Sequence, residues 1–107
     1  MIPVWKIKPH IKGDTFTSRK ITFPFDITTC GIDMQFRQVA NSRVYFFWST
    51  ENDTFEKINT TQIIMKSRIL DEQQGVYVSD LQITFADGTV KTYLNATLQM
   101  ITDITRP

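Results

Sequence analysis

A chain of 107 residues, 41% hydrophobic and 21% charged, holds one ordinary hydrophobic core, and its composition fits neither disorder nor a fibrous repeat. A formal net charge of +1 excludes the strongly basic face of a dedicated nucleic-acid binder, and one Cys with one His leaves no internal disulfide and no zinc-ligand spacing. The four glycines stand singly, so there is no glycine-rich phosphate loop, and no metal, nucleotide or other cofactor is expected.

The opening MIPVWKIKPH lacks a basic stretch followed by an apolar run of signal-peptide length, and no segment approaches a membrane span. A protein made in the cytoplasm, without a membrane partner, is expected. The triplets that begin at Asn52, Asn59 and Asn95 match glycosylation acceptors, but without a secretory route they read as chance matches. Residues 1–25 carry Lys6, Lys8, Lys12, Arg19 and Lys20 against Asp14 alone, which leaves the rest net acidic. This segment reads either as a solvated basic stretch or as an arm that docks on an acidic partner. Trp5, Ile7 and Ile11 alternate there with lysines and His10, so the arm suits either the first strand of its own sheet or an edge strand laid on a neighbour.

RKITFPFDIT alternates Ile21, Phe23, Phe25 and Ile27 with polar residues, a half-buried strand that Pro24 confines to a sheet edge or a bulge. Cys30 follows at a strand entrance, where a small buried thiol is a better reading than a nucleophile paired with His10. GIDMQFR alternates Ile32, Met34 and Phe36 with Asp33, Gln35 and Arg37. In SRVYFFWST, Val44, Phe46 and Trp48 make one apolar face while Tyr45 and Phe47 make the other partly apolar. Two shorter strands, 55–58 and 62–66, flank the polar turn NTT, and LDEQQ at 70–74 has the length of a single helical turn before Gly75.

VYVSDLQITF, then ADG, then TVKTYLNATLQM spell a long β-hairpin. Asp87 and Gly88 form its turn, Asp87 being read as a residue that tolerates positive φ. Tyr77, Ser79, Leu81, Ile83 and Phe85 share one face, while Asp80 lies on the other with Val76, Val78, Gln82 and Thr84. On the next strand Val90, Leu94, Ala96, Leu98 and Met100 are expected to be dry. Asp80 has no acidic or histidine neighbour in sequence, so a structural hydrogen-bonding role is assigned to it rather than catalysis.

About seven strands with turns every ten residues or so predict a single all-β domain spanning 1–107, an immunoglobulin-like antiparallel β-sandwich. DEQQGVYVS has the pattern of a tyrosine corner, with Tyr77 as the corner residue and Ser79 where such domains often place a bridging cysteine. No catalytic constellation emerges, and the chain is expected not to be an enzyme. Trp5, Tyr45, Phe47 and Tyr93 have polar neighbours in the alternation and are the candidate contact aromatics, together with Lys6 and Lys8 on the arm.

The order IKGDTF at 11–16, FPFDITTCGIDMQFR at 23–37, GVYVSDLQITFADGTVKTYLNATLQM at 75–100 and the closing DITRP at 103–107 resembles a family of small tailed-bacteriophage proteins. The resemblance covers nearly the whole chain. It implies an immunoglobulin-like accessory subunit of a virion, on the tail, on the baseplate or as a capsid decoration, with no catalytic residues. Its partners would be other virion proteins and further copies of itself. The aromatic-rich VYFFWST departs from the pattern and points to a contact particular to this chain. An alternative is a carbohydrate- or cell-surface-binding module in which Trp5 or Tyr93 stacks on sugar.

Overall fold

Alternation of apolar and polar side chains carries most of the chain into strands. The computed structural model describes residues 3–38 and 43–102, which contain eleven strand segments and no helix. These are β1 (Val4–Lys6), β2 (His10–Ile11), β3 (Thr15–Phe16), β4 (Arg19–Thr22), β5 (Gly31–Gln38), β6 (Val44–Ser49), β7 (Phe55–Lys57), β8 (Gln62–Met65), β9 (Arg68–Ile69), β10 (Gly75–Thr84) and β11 (Val90–Ile101). The closing DITRP, 103–107, lies outside the described residues. The segments outnumber the seven or so expected because the first 22 residues are broken into short pieces. Pro9 has no N–H to offer a ladder, and Gly13, at φ +91°, turns the chain where Asp14 N–H donates to the Ile11 carbonyl.

The strands form one large sheet, ordered β1-β11-β10-β5-β6 with β2 also on β11, and a smaller one, ordered β4-β8-β7, while β3 pairs with β9. The architecture is sandwich-like and mostly antiparallel. β1 and β2 depart from the antiparallel expectation by pairing parallel with β11 at one edge. The fully buried side chains between the sheets include Trp48, Tyr77, Phe36, Phe55, Ile63 and Leu81. Phe36 and Phe46 stack at 4.8 Å, and the Trp48 indole donates to the Lys66 carbonyl at 2.9 Å, tying β6 to the chain that leaves β8. Cys30 is buried.

Two register shifts change which residues face inward. Between Phe36 and Arg37 the pairing with β6 skips Tyr45, so Tyr45 and Phe46 both reach Tyr77, at 5.3 and 5.1 Å. Between Leu81 and Gln82 the pairing with β11 skips Tyr93, so Tyr93 turns in beside Leu94 and packs 4.8 Å from Phe23. A bulge of one residue inverts the alternation beyond it. Val90, expected on the dry face, is therefore 54% exposed.

β4 stops at Thr22, and Pro24 follows in a bend. Asp26 shapes this connection by accepting from Thr28 N–H at 2.8 Å and Thr28 Oγ1–H at 2.5 Å, which leaves Phe23 and Ile27 in the core. LDEQQ is not a helical turn: it has no regular structure and bends at Gln74, the backbone of Leu70 being engaged with the turn at 13–14 and Asp71 pairing with Lys12 at 2.9 Å.

The β10–β11 hairpin closes through a three-residue loop. Gly88 N–H donates to the Phe85 carbonyl at 2.9 Å and Phe85 N–H to the Thr89 carbonyl at 2.8 Å. Positive φ falls on Gly88 alone, at +90°, and not on Asp87. Asp87 works through its carboxylate, which accepts from Thr89 N–H at 2.9 Å. A Cβ on Gly88 would meet nothing within 4 Å, so Gly88→Ala should lose about 1 kcal/mol of stability from backbone strain alone, read as a lower denaturant midpoint at unchanged slope.

The hydrogen bonds from Thr28 and Thr89 hold the Asp26 and Asp87 carboxyls below the usual aspartate pKa of 3.8. A lowered folded pKa contributes stability that is fully present above the unfolded value and is lost as pH falls through the folded one. Acid unfolding followed by Trp fluorescence should therefore show a shallower loss below about pH 4 in an Asp26→Ala, Asp87→Ala double variant that is already less stable at neutral pH. An unchanged acid limb would contradict the assignment.

Candidate interaction surfaces

The sequence motif around Tyr77 forms a hydrogen-bonded corner. The Tyr77 side chain is fully buried, and its hydroxyl donates to the Gln73 carbonyl at 2.6 Å, four residues upstream. Burial pushes its phenol pKa above the ordinary value, keeping the donor protonated. Gly75, between them, has φ +146°, and a Cβ there would come within 2.7 Å of Gln38 Nε2. Gln38 in turn accepts from the Tyr45 hydroxyl at 3.3 Å and from Gln73 Nε2 at 3.0 Å. Tyr45, read in the sequence as a contact aromatic, is thus largely committed to this corner.

The remaining candidates separate to the two edges of the large sheet. At one edge, Trp5 on β1 and Tyr93 on β11 line the same groove of about 450 Å³, opposite Arg19–Thr22 of β4. A smaller depression of about 280 Å³ adjoins it and shares Pro3 and Tyr93, with Phe25, Phe85 and Lys91 on its far wall. Both aromatics are half-buried. Lys6 and Lys8 are exposed beside them, while Ile7, between the two lysines, is buried. The arm is the edge strand of its own sheet, one of its two expected placements.

At the other edge, Phe47 on β6 is 41% exposed and lines a groove of about 580 Å³ with Tyr45, Lys66 and Arg68. Arg68 was not singled out by sequence reasoning. Its guanidinium lies 5.3 Å over the Trp48 ring and donates to the Phe47 carbonyl at 3.0 Å. Thr54 Oγ1 likewise accepts from Ser49 N–H at 2.8 Å. These contacts occupy edge groups of β6 and blunt it against strand addition. No local signal predicts them, since Arg68 lies 21 residues from Phe47.

Asp80 is exposed on the outer face of the large sheet, in a shallow depression with Asp33, Gln35, Arg37 and Gln82. Its carboxylate takes no hydrogen bond among the described residues, so the structural bond expected of it is not made there. Its main-chain carbonyl accepts a long bond of 3.5 Å from Ser79 Oγ–H. Among the described residues, no three His, Cys, Asp or Glu side chains gather where they could hold a metal ion, and no helix is long and apolar enough to cross a membrane.

Tyr77→Phe should lower stability by about 1 kcal/mol, the net value of one intramolecular hydrogen bond, because the ring still packs while the Gln73 carbonyl loses its donor. Chemical denaturation measures it, and an unchanged midpoint would show that the corner bond contributes nothing. No protein-family model, curated protein or solved structure matches this chain.

Proposed function

We propose that this chain is a non-enzymatic structural subunit of a tailed-bacteriophage virion, acting through protein–protein contacts in many copies. The observation that carries the reading is the Tyr77 corner. The GVYVSDLQ stretch that bears much of the resemblance places a buried tyrosine whose hydroxyl holds the preceding turn by a 2.6 Å bond. Tyrosine corners of this kind mark immunoglobulin-like sandwiches. The strand order supports the same assignment, with the first strand parallel to the last in one sheet and β4-β8-β7 as the other. A small subunit of this kind has limited surface, and repetition on a symmetric lattice provides avidity that single contacts lack.

A carbohydrate-binding module is the second reading, and the observation favouring it is that Trp5 and Tyr93 line one groove. Antibodies against the chain, applied to purified phage particles from the parent genome, distinguish the two. The virion reading expects regular labelling of head, neck or tail and co-sedimentation of the chain with particles. Absence from particles, together with saturable binding of a polysaccharide that Trp5→Ala abolishes, would overturn it in favour of the sugar module.

A further inference from the structure

The open side of the sandwich, between β1 and β4, has a free strand edge that the hydrogen-bond alternation locates. Phe23 N–H donates to the Thr61 carbonyl at 2.8 Å, so the residues of β4 in step with it, Arg19 and Ile21, turn their main-chain groups toward β8. The even-numbered residues of β8 serve β7 instead, as in the 3.0 Å bond from Ile58 N–H to the Gln62 carbonyl. Lys20 and Thr22 therefore present their N–H and C=O groups away from β8, and no partner meets these groups among the described residues. This edge borders the groove floored by Trp5, Ile21, Tyr93 and Leu94. No carboxylate lines the groove, and Lys20 is exposed without an ion pair among the described residues.

We propose that this groove accepts an extended acidic polypeptide segment that adds as a strand to the free edge of β4. Lys20 and Thr22 offer donors and acceptors two residues apart, the repeat of an extended partner. In such a partner every second side chain turns down onto Trp5 and Tyr93, where an apolar group fits. The intervening side chains lie beside Lys20, where a carboxylate fits. Arg19 does not compete, because its guanidinium is held 4.9 Å over the Phe16 ring and donates to the Thr17 carbonyl at 2.8 Å. A sugar would use the two aromatics and leave the main-chain pairs of Lys20 and Thr22 unengaged, which is why a polypeptide is the better match. The site stands on this geometry and does not depend on the virion reading.

The test titrates the full chain with an acetylated, amidated Val-Glu-Val-Glu-Val-Glu peptide while amide resonances and hydrogen exchange are followed by NMR. The Lys20 and Thr22 amides and the Trp5 indole should shift, and exchange at the two amides should slow. The analogue with Lys for Glu should bind about tenfold more weakly, and Lys20→Glu should reverse that preference. Joining the acidic peptide to the amino terminus through a Gly-Ser linker raises its effective concentration to roughly millimolar, so even a weak segment must protect Lys20 and Thr22 there. No protection in the fusion, or equal affinity for both peptides, overturns the proposal. So does an acidic oligogalacturonate that shifts Trp5 when neither peptide does, which would make the groove a sugar site.

Discussion

Strict two-residue alternation along β10 is the constraint on which the other strands are registered. β10 pairs with β5 on one side and β11 on the other, and Tyr77, Ser79, Leu81 and Ile83 all face the core. A slip of one residue would send Tyr77, Leu81 and Ile83 into water, at about 1.5 to 3 kcal/mol for each large side chain, against about 1 kcal/mol for a typical hydrogen bond. Burial therefore chooses the register, and the ladder follows it. The strand is anchored at both ends, by the Tyr77 corner before it and by the Gly88 loop after it.

Where alternation ran unbroken, the fold was legible in the sequence. GIDMQFR and VYVSDLQITF have the faces that their spacing implies, and Asp87 with Gly88 forms the turn between β10 and β11. The misread positions lie at bulges and at short segments. Nothing in TVKTYLNATLQM announces that Tyr93 is skipped, because an extra residue in one strand is defined only by its partner. The same holds for Tyr45 opposite Phe36. LDEQQ has a helix-compatible composition, but the backbone of Leu70 and the carboxylate of Asp71 are claimed by the segment 12–14, nearly sixty residues away. Local propensity cannot foresee that claim.

The contact residues were legible as a set of aromatics but not as a surface. Spacing marked Trp5, Tyr45, Phe47 and Tyr93 as candidates without saying that the two edges of one sheet would divide them. It counted Lys20 only within the basic segment 1–25, without placing it at a groove, and passed over Arg68 at the other edge. Their significance comes from which main-chain groups each leaves free. Arg68 covers an edge carbonyl of β6, whereas no partner meets the edge of β4 at Lys20 and Thr22 among the described residues.

The parallel pairing of β1 and β2 with β11 also sets how the domain responds to force. Tension between the residues entering β1 and those leaving β11 pulls these strands past one another, along their length. The bonds joining Val4–Lys6 to Asn95–Thr97, and His10 and Ile11 to Met100 and Ile101, then bear the load together as a shear clamp. An antiparallel pair pulled from one end would instead open bond by bond, like a zipper. A thin strip of five paired residues thus sits where a domain held by its two ends within a larger assembly would feel strain first.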